Sequence, residues 1–345
     1  MAVFTAIDDS GSFYNTTLYT GTGASNAITG VGFQPDFTWI KQRDASDNHI
    51  LTDAARGATN YVNSDRNNAQ ATNAESLKSF DSDGFTLGNH AAINGNTDTF
   101  ASWNWKAGTS SGLSGGTITP TAYSINTTSG FGVYAYTGSG SNATIAHGLG
   151  VAPKLVMVKR LNGTDSWRVF HTYLGGTKYL TLNSNAGPTT EATIWNSTAP
   201  DATVFSIGTD SSTNTSTDTY IAYVWAEVKG YSKISSYTGN GVADGTVVYT
   251  GFRPALFIPK ILTSSTNWGL QDTARDTYNP ADKTLNPDDA ASVQTGSGQY
   301  IDYLSNGFKI RNSSSWYNGS GETFVYVAFA SNPFVNSSGV PGNAR

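Results

Sequence analysis

Two Asp–Arg pairs are the residues best suited to chemistry. The stretches "DAAR" (53–56) and "DTAR" (272–275) each place an aspartate three residues before an arginine. A guanidinium beside a carboxylate is common in binding clefts, where it shifts the pKa of the acid. The same pair also fixes loops in scaffolds. We favour the second interpretation, an ion pair that holds a loop against its own sheet, because a comparable stretch carries His171 and Leu174 instead.

Other acids and bases lack catalytic spacing. Glutamate occurs only at positions 75, 191, 227 and 322, whereas glycosidases need two facing carboxyl groups. The four histidines (49, 90, 147 and 171) show no metal-ligand spacing, and the chain has no cysteine. The stretch "DSDG" (81–84) resembles a calcium loop without its distal glutamate, so a hairpin turn explains it better. We expect no catalytic residue, no metal and no cofactor, although a Ser-His-Asp triad stays open because its members need not be adjacent.

Six side chains are candidate contacts for a glycan or a protein partner. Lysines recur six residues after three prolines, and a large ring recurs 14 residues after them. The lysines suit an anionic surface or, as we favour, solvated strand ends that discourage unwanted pairing. The rings lie in loops rich in Asn and Ser, where they can bind sugars or, as we favour, plug the end of a sandwich. The six candidates are Lys41, Lys159, Lys260, His49, Trp167 and Trp268.

The segments that carry these residues occur three times. Pro35, Pro153 and Pro254 each begin an apolar run, and "YTG" precedes each proline by 14 or 15 residues. The segments "TFASWNW" (99–105), "TYIAYVW" (219–225) and "TFVYVAF" (323–329) align without gaps. Their alternate residues are apolar, as expected of one buried strand face. We predict an internal triplication with a structural core that includes Trp39, Trp103, Trp105, Tyr223, Trp225 and Phe329.

The composition predicts an all-β fold. Charged residues make up only 13%, glycine numbers 37, and Tyr, Phe and Trp are abundant, a mixture that suits strands and turns. We predict three tandem antiparallel β-sandwich modules of jelly-roll or lectin-like type. The first spans residues 1–108, a Gly/Ser/Thr linker plus the second spans 109–230, the third spans 231–333, and a strand-free tail spans 334–345. The linker "KAGTSSGLSGGTITPT" (106–121) is predicted to be a flexible joint.

Charge and hydropathy exclude several classes of protein. The formal net charge is −5 and the basic residues are scattered, so we expect no nucleic-acid partner. No window is apolar enough for a membrane span, and the start "MAVFTAIDDS" does not resemble a signal peptide. The chain is therefore expected to fold in a cytoplasm.

The sequence resembles a known family of repeats. The phrases that carry the resemblance include "GFQPDFTWIKQR", "SFDSDGFTLG", "GFRPALFIPK" and "YIAYVWAEVKGYSKISSYTGNG". Similar repeats occur in virion and tail-fibre proteins of tailed bacteriophages, notably marine ones, and are lectin-like (concanavalin-A-like). The resemblance covers residues 4–334. It implies a β-sandwich protein of the particle surface and carries over no catalytic residue.

The expected function follows from this resemblance. The chain is predicted to be a non-enzymatic virion structural protein, either a tail-fibre or tail-tip adhesin or a capsid decoration protein. Expected partners are capsid or tail subunits, further copies of the chain in a homo-oligomer, and host surface polysaccharide. The expected location is the virion, assembled in the host cytoplasm. The alternative is a glycan depolymerase or glucanase on the same sandwich fold, which needs an acid pair in one cleft.

Overall fold

The fold is all-β and antiparallel, with four single-turn α-helices. The computed structural model describes residues 5–342. Residues 1–4 of the predicted first module and residues 343–345 of the predicted tail lie outside the described residues. The first part of the chain contains β1 Tyr14–Thr20, β2 Asn26–Ile28, β3 Phe37–Gln42, β4 Ile50–Asp53, β5 Asn60–Val62, β6 Ala71–Thr72, β7 Leu77–Asp81, β8 Gly84–Leu87, α1 Ala91–Asn94 and β9 Thr99–Trp105. A 3-10 turn, Ser10–Ser12, precedes β1.

The remaining elements follow a similar order. The middle part contains β10 Ala122–Asn126, β11 Phe131–Thr137, β12 Ala143–Ala146, β13 Leu155–Arg160, β14 Arg168–His171, β15 Lys178–Tyr179, β16 Thr189–Thr190, α2 Ala192–Trp195, β17 Val204–Ile207, α3 Ser211–Asn214 and β18 Thr219–Trp225. The last part contains β19 Ser232–Thr238, β20 Val247–Tyr249, β21 Phe252–Ile261, β22 Gln271–Asp272, a 3-10 turn Ser297–Gln299, β23 Ile301–Leu304, β24 Gly307–Ile310, α4 Ser315–Asn318 and β25 Thr323–Pro333.

Three large sheets organise these strands. The first large sheet has the order β1-β9-β3-β4-β5-β6, the second β10-β11-β18-β13-β14, and the third β19-β25-β21-β22. In the first two, a strand begins after the recurring proline, whereas Pro254 lies inside β21 at an irregularity in the pairing. In each, the residues after the proline pair with the last long strand in the same register. Lys41 lies opposite Ala101, Lys159 opposite Ile221, and Lys260 opposite Val325.

Each large sheet is covered on one face by a smaller sheet. The smaller sheets are β2-β8-β7 on the first, β12-β17 on the second and β20-β24-β23 on the third. Each pair encloses its own apolar cluster, centred on Phe85, Phe205 and Phe308 respectively. A separate two-stranded pair, β15-β16, extends beside the second large sheet.

The opposite faces of the three large sheets meet in one central core. The alternating residues predicted to face the core are indeed buried, but they pack against the other large sheets and not against the small sheet of their own part of the chain. The Trp105 ring lies 6.0 Å from the Trp225 ring and 5.5 Å from the Phe329 ring, so one side chain contacts all three large sheets. The six predicted core residues, Trp39, Trp103, Trp105, Tyr223, Trp225 and Phe329, are all in this central core and are at most 3% exposed.

Two of the predicted hairpins form where their turn residues lie. Ser82 and Asp83 connect β7 to β8, and Ser305 and Asn306 connect β23 to β24. The Asp83 carboxylate accepts hydrogen bonds from the amides of Gly30 (3.0 Å) and Gly32 (2.7 Å), so both of its oxygens bind the loop that follows β2.

The Gly/Ser/Thr linker is attached to the second part of the chain along much of its length. Thr109 forms a bridge with Ile125, and Gly116 and Ile118 form bridges with Ile145, although no continuous strand results. The tail folds back on the start of the chain, where the Ser337 amide donates to the Asp8 carboxylate at 2.7 Å.

Three buried asparagines that sequence reasoning missed hold the recurring loops together. Asn94, Asn214 and Asn318 end the short helices α1, α3 and α4, and each side-chain oxygen accepts a main-chain N–H from the loop that follows "YT". Each asparagine precedes a core aromatic residue by six positions (Phe100, Tyr220 and Phe324). That constant spacing is a signal that the sequence contains.

We expect Trp105→Ala to lower the free energy of unfolding by about 3–5 kcal/mol, because it leaves a cavity where the large sheets meet. Since all three large sheets contact this ring, urea unfolding followed by tryptophan fluorescence and by circular dichroism should stay one coincident transition. Val247→Ala, at a site 60% exposed, is the matched control and should change little. Two separated transitions, one of them unshifted, would contradict a shared core.

Candidate functional site

The six side chains predicted to contact a glycan or partner are all inside the protein. His49, Trp167, Lys41 and Lys159 have no exposed surface, Lys260 is 1% exposed and Trp268 is 4% exposed. They lie where one large sheet meets another, so they are placed to join parts of this chain and offer no surface to an outside ligand. We call these three meeting places the seams.

The aromatic trio bridges the seams. Trp167 Nε1 donates to the Asn63 carbonyl at 2.7 Å, linking the second part of the chain to the first. Trp268 Nε1 donates to the Thr181 carbonyl at 3.1 Å, linking the third part to the second. The rings therefore close the contact with a neighbouring sheet and do not plug the end of their own sandwich.

His49 occupies the same position at the remaining seam. Its Nδ1 accepts the Trp39 indole N–H at 2.8 Å. Burial lowers the pKa of His49 well below its usual value, with the backbone of Asn286 and Asp289 from the third part acting in the opposite direction. The ring is neutral at pH 7 and acts as a fixed hydrogen-bond acceptor.

The interpretation of the lysines as solvated strand ends is wrong. Each ammonium group is buried and donates to two main-chain carbonyl oxygens, which replace the water it has lost. The acceptors are Gln42 and Ala45 for Lys41 (2.6 and 3.3 Å), Arg160 and Asn67 for Lys159 (2.8 and 3.2 Å), and Thr266 and Asn185 for Lys260 (2.7 and 2.9 Å). Lys159 and Lys260 thus reach the neighbouring part of the chain. Burial lowers the pKa of each lysine to about 8.

A second set of polar residues supports the aromatic trio and was missed from the sequence. Asp65, Asn183 and Asp288 accept the main-chain N–H of His49 (3.1 Å), Trp167 (2.9 Å) and Trp268 (3.0 Å). The spacing is 16 residues in the first two cases and 20 in the third, so only two of the three share a signal. Burial raises the pKa of Asp65 to about 6 and that of Asp288 to about 7.

The predicted Asp–Arg ion pairs are confirmed and fully enclosed. Asp53 Oδ2 lies 2.6 Å from Arg56 Nε, and Asp272 Oδ2 lies 2.5 Å from Arg275 Nε, with side chains at most 3% exposed. Each arginine also donates to a carbonyl of its own sheet at 3.0 Å.

Each of these carboxylates also binds an aromatic donor from the adjacent large sheet. The Tyr223 hydroxyl donates to Asp53 at 2.7 Å, and Trp103 Nε1 donates to Asp272 at 3.0 Å. His171 takes the corresponding place in the second sheet, where its Nε2 lies 3.4 Å from the Tyr326 carbonyl oxygen. Burial lowers the pKa of His171 to about 4. The three parts of the chain are thereby linked in a cycle, each reaching one neighbour.

The Asp–Arg pairs do not lie in an open cleft. A glycosidase needs two carboxyl groups facing an open cleft, whereas Asp53 and Asp272 are sealed between large sheets and each is bound by an arginine Nε. Within residues 5–342 no group of three or more His, Asp or Glu side chains is placed to hold a metal ion. In the same span no helix is long and apolar enough to cross a membrane.

The comparison with known families decides the membership of the chain. Residues 9–333 match the family described as Domain of unknown function (DUF7483). The chain is a DUF7483 protein. A search of curated proteins gives no match. One DUF7483 match spans all three large sheets, so the family domain is the whole arrangement around the central core.

We expect Asp272→Asn to lower the free energy of unfolding by about 3–5 kcal/mol, because it leaves the Arg275 charge buried without its partner. Glu75→Gln is the control: it breaks a pair with Lys78 whose side chains are 47% and 42% exposed, and it should change the free energy by less than about 1 kcal/mol. Urea unfolding at pH 7 measures both. Equal effects would contradict the buried role of Asp272.

We expect Asp288→Asn to flatten the dependence of the melting temperature on pH. The folded pKa of about 7 lies above the usual 3.8, so the stability contributed by the neutral carboxyl group is complete below pH 4 and is lost as pH rises through 7. Asparagine stays neutral, as Asn183 does at the corresponding position. The variant should melt higher than wild type at pH 8 and alike at pH 4, measured by calorimetry.

Asp65→Asn provides a parallel case for this pH dependence. Because the pKa of Asp65 in the folded protein is about 6, the melting temperatures of this variant and of wild type should begin to differ at a lower pH than for Asp288→Asn. Melting curves that stay parallel to wild type at every pH, for both variants, would show that neither carboxyl group is protonated in the folded protein.

Proposed function

We propose that this DUF7483 protein is a non-enzymatic structural protein of a tailed-bacteriophage virion, exposed on the particle surface. The observation that carries the proposal is the central core together with its seams. The side chains best suited to chemistry are committed to holding three large sheets against one another. A chain whose buried charged groups hold its own sheets together is suited to be a rigid structural subunit.

We further propose that the chain arose by triplication of one β-sandwich module. The support is the shared register of the post-proline strand in each large sheet, the matching positions of the three lysines, and the equivalent asparagines of α1, α3 and α4. Each proposed module pairs one large sheet with one small sheet. The lectin-like resemblance of the recurring phrases supports the same origin.

Partners of the proposed virion protein are capsid or tail subunits, together with further copies of the chain. One surface favours a protein contact: on the edge strand β20, Val247 and Tyr249 point outward and are 60% and 64% exposed, and nearby Val242 is 52% exposed. Exposed apolar groups on a sheet edge suit burial against another protein. Within this class, a tail adhesin and a capsid decoration protein remain the two roles to separate.

Immunogold labelling of purified phage particles tests the proposal directly. Antibodies against the recombinant chain should label intact particles of the phage that encodes it, at the head for a decoration protein or at the tail for an adhesin. Absence of label on intact and on disrupted particles, with the chain also missing from their mass spectra, would overturn the virion assignment. Release of reducing sugar from host polysaccharide by the purified chain would instead favour the depolymerase alternative.

A further inference from the structure

A polar groove opens beside the first large sheet and shares only Asn63 with the seam contacts described above. Its volume is about 410 Å³, within the range of roughly 300–1,000 Å³ that is common for small-molecule sites. The groove runs between β5 and the short helix α1. Its floor contains Ile50 and the small side chains of Ala71 and Ala92.

Two rings form one wall of the groove. The Tyr61 and His90 ring centroids are 5.6 Å apart with an interplanar angle of 39°. His90 Nδ1 lies 3.3 Å from Ser76 Oγ, which fixes the ring, and burial lowers the pKa of His90, so the ring is neutral at pH 7. Both rings line the groove and are only partly buried.

Amide and charged groups form the rim. Asp47 Oδ1 accepts the main-chain N–H of Asn48 at 2.7 Å, and Arg66 Nε donates to the Asn48 side-chain oxygen. Asn63 Nδ2 is held by the His49 carbonyl at 2.7 Å. The lining contains one carboxylate and one guanidinium, so the rim offers hydrogen bonds and carries no net charge.

The corresponding place beside the second large sheet is filled. Arg168 pairs with Val158 as Ile50 pairs with Ile40, and Val169 bridges Leu180 as Leu51 pairs with Val62, which puts Tyr179 at the place of Tyr61. The Arg168 guanidinium lies 4.6 Å above the Tyr179 ring, and its Nε donates to Ser212 at 2.9 Å. The chain's own cation therefore lies over the Tyr179 ring, whereas Tyr61 has the neutral His90 ring beside it and no cation over it.

The third sheet fills its place in another way. Trp316 occupies the position on α4 that Ala92 occupies on α1, since each lies two residues before the buried helix-ending asparagine. Its Nε1 donates to the Asn267 carbonyl at 3.0 Å, and Asn267 stands before Trp268 as Asn48 stands before His49. Of the three places compared, the first alone has neither filling side chain, because Ile50 stands where Arg168 stands and Ala92 stands where Trp316 stands.

We propose that the groove lined by Tyr61, His90 and Asp47 binds a neutral saccharide. Aromatic faces pack on the apolar C–H faces of a sugar ring, while carboxylate and amide groups bind its hydroxyls. This inference deepens the proposed function, since it names the site and the chemical class through which a virion protein would contact host polysaccharide.

An array of neutral and anionic oligosaccharides, probed with the full chain, tests the inference. Wild type should bind neutral oligosaccharides, and Tyr61→Ala and Asp47→Asn should each weaken that binding at least tenfold. Ala92→Trp, which places in the groove the side chain found at position 316, should abolish it. Tyr278→Ala, at a tyrosine 84% exposed and away from the groove, should bind as wild type does.

Calorimetric melting of each variant separates loss of binding from loss of folding. The inference fails if wild type binds only anionic oligosaccharides or none, or if folded Tyr61→Ala and Ala92→Trp bind as wild type does. Failure here with immunogold label on the particles would leave the virion proposal standing. Binding with no label would leave the groove standing and remove the virion proposal.

Discussion

The apolar surface shared by three large sheets is the constraint on which the rest of the structure depends. A sheet with both faces apolar has to be covered on both. Here the small sheets cover one face, and the other face packs against the remaining large sheets. Each large sheet therefore needs the other two, which explains why residues far apart in sequence, such as Tyr14 and Phe329, stack at 5.4 Å.

The seams bury charged side chains, and nearby hydrogen-bonding groups of the chain replace the water that these side chains lose. Lysine ammonium groups donate to carbonyl oxygens, and the Asp53 and Asp272 carboxylates receive both an arginine and an aromatic donor. Such groups contribute little net stability, because desolvation offsets most of the attraction. Their geometric demands are strict, however, so they favour one relative position of the large sheets over alternatives that would bury the same apolar area.

The sequence predicted the strands and their buried faces better than it predicted which segments pack against those faces. Alternation in 99–105 shows which side chains share a face, but the covering surface is set by segments hundreds of residues away. The lysines were misassigned for the same reason, because the carbonyl groups that bind Lys159 and Lys260 include those of Asn67 and Asn185 in other loops. The asparagine spacing was present and readable. The groove was not readable, since it depends on positions 50 and 92, where Ile50 and Ala92 stand in the places of Arg168 and Trp316.

On the proposal that the groove binds a saccharide, one open place beside two filled ones would give each chain one such site. A single weak saccharide contact per polypeptide gives short-lived attachment, and multiplying it requires many polypeptides displayed at a spacing that lets them engage one surface together. The avidity for a polysaccharide surface would then depend on how densely the copies are arrayed. The two filled places would keep each copy monovalent.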